Sequence, residues 1–201
     1  MVRAATLLLP ILLAAGPLAA REGDDLVGSR PSEWRVEHWL DSEPLTLEEL
    51  RGRVVLVRFW TAPHCPYCRA SAPALNDFHD RYAERGLTVI GLYHHQGRGG
   101  VDGADVDEVA RWADELGFEF PVAIDAGWRT LRALWLDGHP RGWNRVSFLL
   151  DRQGVIRRVH PGGQYVQGDA EHAALEARHR AAAGGAGRAI GRRPELACSG
   201  R

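Results

Sequence analysis

The chain contains no lysine, so its 25 basic residues are all arginine. They are balanced by 26 acidic residues, which leaves a formal net charge of -1 at pH 7. The central region has no run of basic residues, whereas proteins that bind nucleic acid usually present a basic patch. Nucleic acid is therefore not an expected partner.

Long hydrophobic runs are absent outside the N-terminus, which excludes a protein with several membrane spans. The N-terminus itself has the three-part form of an export signal: Arg3, then the apolar stretch Leu7–Ala15, then the small residues Gly16–Ala20. We predict a signal peptide over 1–20, with an uncleaved N-terminal anchor as the alternative. Either outcome places the rest of the chain outside the cytoplasm, in the periplasm or an equivalent compartment, where disulfides persist.

The remaining composition, 45% hydrophobic and 25% charged, is typical of a globular protein. We predict one domain over 33–183 and a disordered tail over 184–201. Apolar periodicity and turn residues predict its elements in chain order. They are a strand over 33–40, a turn with one helical turn over 44–50, a strand over 54–60, a helix over 66–85, a strand over 87–93, a Gly-rich loop over 97–103, a helix over 106–116, a strand over 120–124, a short helix over 128–136, two strands over 146–150 and 155–159, and a helix over 170–183.

This alternation of strands and helices favours a parallel sheet covered by helices on both faces. The last two strands flank a short turn in which Gly154 supplies the backbone conformation, so they predict an antiparallel hairpin. The expected fold class is therefore α/β, with a central mixed sheet that ends in this hairpin.

The sequence Cys65-Pro66-Tyr67-Cys68 stands where a buried strand ends and the first long helix begins. Pro66 suits the first helical position, which places Cys65 at the N-cap among unpaired backbone N–H groups. These donors and the helix dipole favour a thiolate, so we expect Cys65 to be the nucleophile. Cys68 follows one helical turn later, within reach of a disulfide, and is the expected resolving thiol.

Other interpretations of the pair remain open. A structural disulfide usually closes a longer loop, and a zinc site would need a second pair of ligands at matching spacing. His94 and His95 end a strand on the expected site side, but we interpret them as strand-end polarity rather than as functional residues. The third cysteine, Cys198, lies alone in the tail and is expected to be a non-catalytic thiol.

The segment LTLEELRGRVVLVRFWTAPHCPYCRASAP, from Leu45 to Pro73, resembles the thioredoxin superfamily, particularly its exported TlpA-like branch. FPVAID at 120–125 and SFLLDRQGVIR at 147–157 extend the resemblance through the predicted domain. The resemblance implies a thioredoxin-like fold, thiol-disulfide exchange with protein thiols or disulfides, and a redox partner that supplies or accepts electrons. It also implies a helix shaped at Pro73. No cofactor and no metal are expected, and we expect a monomer.

Several positions depart from the family pattern. His64 replaces the usual Trp before the first cysteine, and it either favours the Cys65 thiolate or is simply an exposed loop residue. Asn144-Arg145-Val146 stands where the family has a cis-proline, which implies an altered docking edge for the substrate. Arg58 occupies a strand position that often holds a buried acid or amide, and there it would stabilise a thiolate. Tyr67 is expected to shape the surface of the motif.

The sequence therefore predicts an extracytoplasmic thiol-disulfide oxidoreductase. Two alternatives use the same cysteines: a thiol-dependent peroxidase, suggested by the missing cis-proline, and a copper(I)-binding module, since two thiolates are soft ligands. The peroxidase pattern P-x-x-x-T-x-x-C is absent, because Thr61 lies four residues before Cys65. The direction of electron flow is left open, since the environment of the dithiol sets its potential.

Overall fold

A computed structural model of the chain describes residues 21–95, 105–162 and 165–184. The predicted signal or anchor over 1–20, the Gly-rich loop over 97–103, Cys198 and all but the first residue of the predicted tail lie outside the described residues. Within the described part, no helix has the length and apolar character needed to span a bilayer.

The described residues form six strands and four helical segments. The strands are β1 (His38–Leu40), β2 (Val54–Trp60), β3 (Leu87–Tyr93), β4 (Val122–Ile124), β5 (Val146–Leu150) and β6 (Ile156–Pro161). The helices are α1 (Pro66–Tyr82), α2 (Val106–Leu116), α3 (Arg129–Leu131, continuing as a π-helical turn over Arg132–Leu136) and α4 (Ala170–Gly184), and short 3₁₀ turns occur at Asp24–Leu26 and Ala83–Arg85.

The sheet has the strand order β1-β4-β3-β2-β5-β6. The strands β2, β3 and β4 run parallel, whereas β1 pairs antiparallel with β4, and β5 pairs antiparallel with both β2 and β6. The predicted mixed sheet with a C-terminal antiparallel hairpin is therefore confirmed. Gly154 adopts φ +68° in the hairpin turn, as its position predicted.

Alternate residues of β2 face two different apolar layers, because successive side chains of a strand point to opposite faces. Val55, Val57 and Phe59 pack with Trp128 and Trp135 of the α3 region on one face. The opposite face packs against α1, α2 and α4, so helical segments cover both faces. Every residue of β2 is buried, which explains its nearly continuous apolar sequence.

Local signals set the bounds of the two long helices near the dithiol. Asp105 caps α2 by accepting hydrogen bonds from the N–H groups of Asp107 and Glu108 at 3.0 and 3.2 Å. Gly117 ends α2 with φ +68°. The helix predicted over 66–85 is correct in position, although its last turn is the 3₁₀ turn Ala83–Arg85.

Two predicted strands are shorter than expected. The prediction over 33–40 is wrong for its first five residues, because only His38–Leu40 pairs in the sheet. In the earlier part, Arg35 donates its backbone N–H to the Thr130 side chain, and Trp34 donates its indole N–H to the carbonyl of Leu45. These bonds, one to α3 and one to the loop at Leu45, replace a strand ladder. The strand predicted over 120–124 likewise contains only Val122–Ile124, since Pro121 has no N–H to donate.

Candidate active site

The dithiol lies at the junction of β2 and α1, where the sequence placed it. Cys65 has an extended backbone, with φ -72° and ψ 114°, and is the N-cap of α1, while Pro66 is the first helical residue. The carbonyl of Cys65 accepts hydrogen bonds from the N–H groups of Cys68 and Arg69, both at 3.1 Å. Both thiols are unbonded to each other and nearly inaccessible, with 3% of Cys65 and 2% of Cys68 exposed.

The two thiols have opposite tendencies to ionise. Burial alone would raise the pKa of Cys65, but the thiol and N–H of Cys68, the charge of Arg145 and the N–H of Tyr67 together hold that pKa below its usual value. A thiol with a lowered pKa is the better nucleophile at neutral pH, because the thiolate is the reactive form. Cys65 therefore has the chemistry expected of the attacking residue.

Cys68 is the more deeply buried thiol. Burial raises its pKa, and the charge that forms on Cys65 raises it further, while the Thr61 backbone and Arg58 partly oppose this increase. The Thr61 hydroxyl lies 3.8 Å from the Cys68 sulfur. Cys65 therefore ionises more readily than Cys68, which is the order that an attacking and a resolving cysteine need.

Arg58 lies in β2 on the face that packs against α1, and only 1% of it is exposed. Its Nη1 donates a hydrogen bond of 3.1 Å to the hydroxyl of Ser147, its register partner in β5, and its guanidinium lies 5.8 Å from the ring centre of Tyr165. Burial lowers the pKa of Arg58, while Tyr165 and the two thiols raise it. The position that the sequence singled out is therefore close enough to the dithiol to favour a thiolate.

Arg145 directly precedes β5, at the position that the resemblance assigned to a cis-proline, and no described peptide bond is cis. Its guanidinium lies 5.7 Å from the ring centre of Tyr67, the aromatic residue between the two cysteines. The ring of Tyr67 also meets Trp143 edge to face, with ring centres 5.7 Å apart. Arg145, Tyr67 and Trp143 therefore form one surface at the mouth of the dithiol, called the mouth surface below.

The histidines near the site differ in exposure. His64 is exposed, and a cavity of about 330 Å³ lies between it, Thr61, His95 and Trp112. His94 is fully buried against Trp128, and its Nδ1 lies 3.2 Å from the carbonyl of His95. Burial lowers the pKa of His94 to about 4.

The sequence analysis missed Trp143, Tyr165 and Ser147, and it left His94 without an assigned role. Their relation to the dithiol depends on contacts between segments far apart in the chain, so no local pattern indicates it. The exposure of Trp143, which marks it as a candidate contact residue, is visible only in the fold. Among the described residues, no group of three or more His, Cys, Asp or Glu side chains is arranged to hold a metal ion.

Comparisons with known proteins agree with this geometry. Residues 32–159 match the model of the AhpC/TSA family. Protein DipZ of Mycobacterium tuberculosis is 32% identical over 143 residues, which are 69% of this chain and 19% of DipZ. The thiol-disulfide oxidoreductase ResA of Halalkalibacterium halodurans is 29% identical over 130 residues, which are 64% of this chain and 65% of ResA. The chain thus spans less than two thirds of the length of either relative.

Solved structures show the same fold. A Chlorobium tepidum protein assigned as the thiol:disulfide interchange protein DsbE is 26% identical with a TM-score of 0.62, and the match covers 79% of this chain and 98% of that one. A thiol-disulfide isomerase from Corynebacterium glutamicum is 28% identical with a TM-score of 0.56, covering 77% of this chain and 96% of that one. The predicted thioredoxin-like fold is confirmed. The chain belongs to the AhpC/TSA family and is a TlpA-like protein of the thioredoxin superfamily.

Proposed function

We propose that this chain is a redox enzyme, a thiol-disulfide oxidoreductase that acts on protein thiols or disulfides through Cys65 and Cys68. The observation that carries the proposal is a pair of buried, free thiols at the start of α1, with Cys65 as the N-cap and Cys68 in the first turn. The lowered pKa of Cys65 and the raised pKa of Cys68 agree with it. The names of ResA and of the isomerase from Corynebacterium glutamicum describe the same chemistry and support it.

The exchange proceeds in two steps. The Cys65 thiolate attacks one sulfur of a partner disulfide and forms a mixed disulfide, and the other partner sulfur leaves as a thiolate that takes up a proton. Cys68 then loses its proton and attacks the Cys65 sulfur, which forms the Cys65-Cys68 disulfide and releases the partner's second thiol. The partner gains two electrons and the dithiol loses two. The reverse sequence oxidises a partner.

Arg58 supports the second step in this proposal. The Cys68 thiol must lose a proton in a buried site, where a negative charge is costly. The guanidinium of Arg58 lies on the same side of the sheet and lowers the cost of that charge. His64 remains a predicted contributor at the exposed rim, next to Cys65.

The test measures the equilibrium of the dithiol in glutathione buffers and traps its partners. We expect a reversible two-electron couple. Cys68→Ser should accumulate a mixed disulfide, because nothing resolves it, whereas Cys65→Ser should trap none. The absence of a reversible couple between Cys65 and Cys68 would refute the proposal.

Two measurements separate the alternatives that use the same cysteines. Rapid consumption of hydrogen peroxide, with a sulfenic acid trapped on Cys65, would identify a peroxidase. Retention of copper(I) at a stoichiometry of one, with little disulfide exchange, would identify a metal-binding module. We expect disulfide exchange to be faster than peroxide consumption, and we expect no stoichiometric retention of copper(I).

The location outside the cytoplasm is part of the proposal, and it depends on the N-terminal sequence. Fusion of residues 1–30 to alkaline phosphatase, which is active only after export, tests it. We expect an active fusion, and loss of activity when residues 2–20 are deleted.

Light scattering of the purified domain tests the expected monomer.

A further inference from the structure

The mouth surface contains a cation that has no partner within the described residues. Arg145 is half-buried, and its Nε is shielded from solvent without a hydrogen bond. Across the described parts of the chain it makes no ion pair with a carboxylate, and its one packing contact of note is the ring of Tyr67. A guanidinium without an anionic partner is available to form charge-assisted hydrogen bonds with a carboxylate of another molecule.

The charges around Arg145 do not supply that missing partner. Arg58 is a second cation and Arg145 lowers its pKa, while the neutral form of His94 faces the same segment. The charge of Arg145 acts on the Cys65 thiolate, but that anion disappears when Cys65 enters a mixed disulfide. During the exchange, therefore, the mouth surface holds an excess of positive charge.

Trp143 gives the mouth surface a fixed apolar component. It is 38% exposed, which is unusual for so large an apolar side chain. Its carbonyl accepts a hydrogen bond from the indole N–H of buried Trp135, and its ring covers Gly162, where a Cβ would lie 2.3 Å from a ring carbon. These contacts position the Trp143 ring beside Tyr67, where its exposed part can pack against a partner molecule.

We propose that the mouth surface recognises polypeptide partners that carry an acidic side chain next to the disulfide cysteine. The partner carboxylate pairs with Arg145, and the adjacent partner backbone and apolar groups pack on Trp143 and Tyr67. This inference rests on the proposed exchange activity and adds the class of substrate. It also assigns a positive role to the residue that replaces the cis-proline of the family.

The test uses two peptides with blocked termini that differ in one side-chain group, a carboxylate in one and an amide in the other. Each is a symmetric disulfide dimer of acetyl-Gly-Ala-Cys-X-Gly-amide, with X either glutamate or glutamine, so that each half of the glutamate dimer carries one carboxylate, at X, and the glutamine dimer carries none. Second-order rate constants for reduction by the reduced, full-length protein are measured, and each is divided by the rate constant with dithiothreitol. We expect a preference of about ten-fold for glutamate, typical of one charge-assisted hydrogen bond, and a decline with added salt.

Variants of Arg145 separate recognition from an effect on the thiol. Arg145→Gln should reduce the preference to about one. Any change in the pKa of Cys65 affects both peptides equally, so it cancels in the ratio. Arg145→Glu should reverse the charge preference when a lysine peptide replaces the glutamate peptide. Arg178→Gln, an exposed arginine of α4, is the matched control and should keep the wild-type ratio.

Each outcome decides a different claim. A wild-type ratio near one, or an unchanged ratio in Arg145→Gln, overturns the inference while leaving the exchange activity intact. Failure of wild type to reduce either peptide or any protein disulfide instead refutes the proposed function. Oxidised glutathione provides the last comparison, because it carries carboxylates without a polypeptide. If the reduction of oxidised glutathione depends on Arg145 and the reduction of the peptides does not, the proposal that a polypeptide binds the mouth surface is overturned.

Discussion

The charged residues at the two ends of β5 differ in their partners: Asp151 has several and Arg145 has none of this kind among the described residues. Asp151, just after the strand, is 4% exposed, and its carboxylate accepts bonds from the N–H groups of Gln153 and Val155, both at 2.9 Å, and from Arg157 at 2.6 Å. Burial opposes ionisation, but these donors hold the pKa of Asp151 below its usual value. Arg145, just before the same strand, has no such partner within the described residues.

This difference separates a charged residue that stabilises the fold from one that is available to a partner molecule. A buried charge with several donors stabilises the fold, and removing it leaves those donors unpaired. A charge left without a partner contributes little to the fold and is available to another molecule. The turn end of β5 therefore holds the hairpin together, whereas the site end remains available for chemistry.

The largest effect on stability should come from the turn end. Asp151→Ala leaves two backbone N–H groups and Arg157 without their acceptor, so we expect the free energy of unfolding to decrease by about 3 to 4 kcal/mol. Urea unfolding of the reduced protein measures it. The control is Asp137→Ala, whose carboxylate pairs with Arg132 at the surface and should cost less than about 0.5 kcal/mol. Equal effects of the two substitutions would remove the contrast.

A second effect should appear at the site end as a dependence on pH. His94 has a pKa of about 4 in the fold, below its ordinary value of 6.5, so the unfolded chain binds the proton more tightly. Its contribution is complete above pH 6.5 and is lost as the pH falls toward 4, by about 3 kcal/mol in total.

Urea unfolding of His94→Phe at several pH values checks this expectation. The difference in stability between the variant and wild type should change between pH 6.5 and 4 and be constant above pH 7. His38→Gln, at an exposed position of β1, is the control substitution. A constant difference for His94→Phe over the whole range would show that His94 titrates normally in the fold.

The smallest effect on stability should come from Arg145. Arg145→Gln removes no hydrogen bond or ion pair seen in the described residues, so the free energy of unfolding should change by less than about 0.5 kcal/mol. The pKa of Cys65 should rise, because one of the groups that lower it is lost. The rate of alkylation by iodoacetamide against pH measures that pKa, in a Cys68→Ser background so that one thiol reports.

Arg145→Lys retains the charge and should keep the pKa of Cys65 close to that of wild type. Loss of more than about 2 kcal/mol of stability in Arg145→Gln would instead mark Arg145 as a structural residue. The two ends of β5 would then be alike.

The central elements were predictable because their signals are local. Val54–Trp60 is a continuous apolar run, and Val106–Leu116 has an Asp cap and a Gly stop, so each could be delimited from a few neighbouring residues. The strand prediction for 33–37 was wrong because Trp34 and Arg35 donate hydrogen bonds to Leu45 and Thr130. No pattern within the segment indicates these two acceptors. Strand composition alone does not determine where a backbone N–H finds its acceptor.

The sequence by itself determined the dithiol: Cys65 becomes the N-cap because Pro66 begins a helix directly after a buried strand, and both signals lie within a few residues. Only the tertiary structure decided what surrounds it. The pairing of β2 with β5 places Arg58 beside Ser147 and brings Arg145 and Trp143 against Tyr67. Strand register and packing create these contacts between distant segments, and with them the charge and shape that the dithiol presents to a partner.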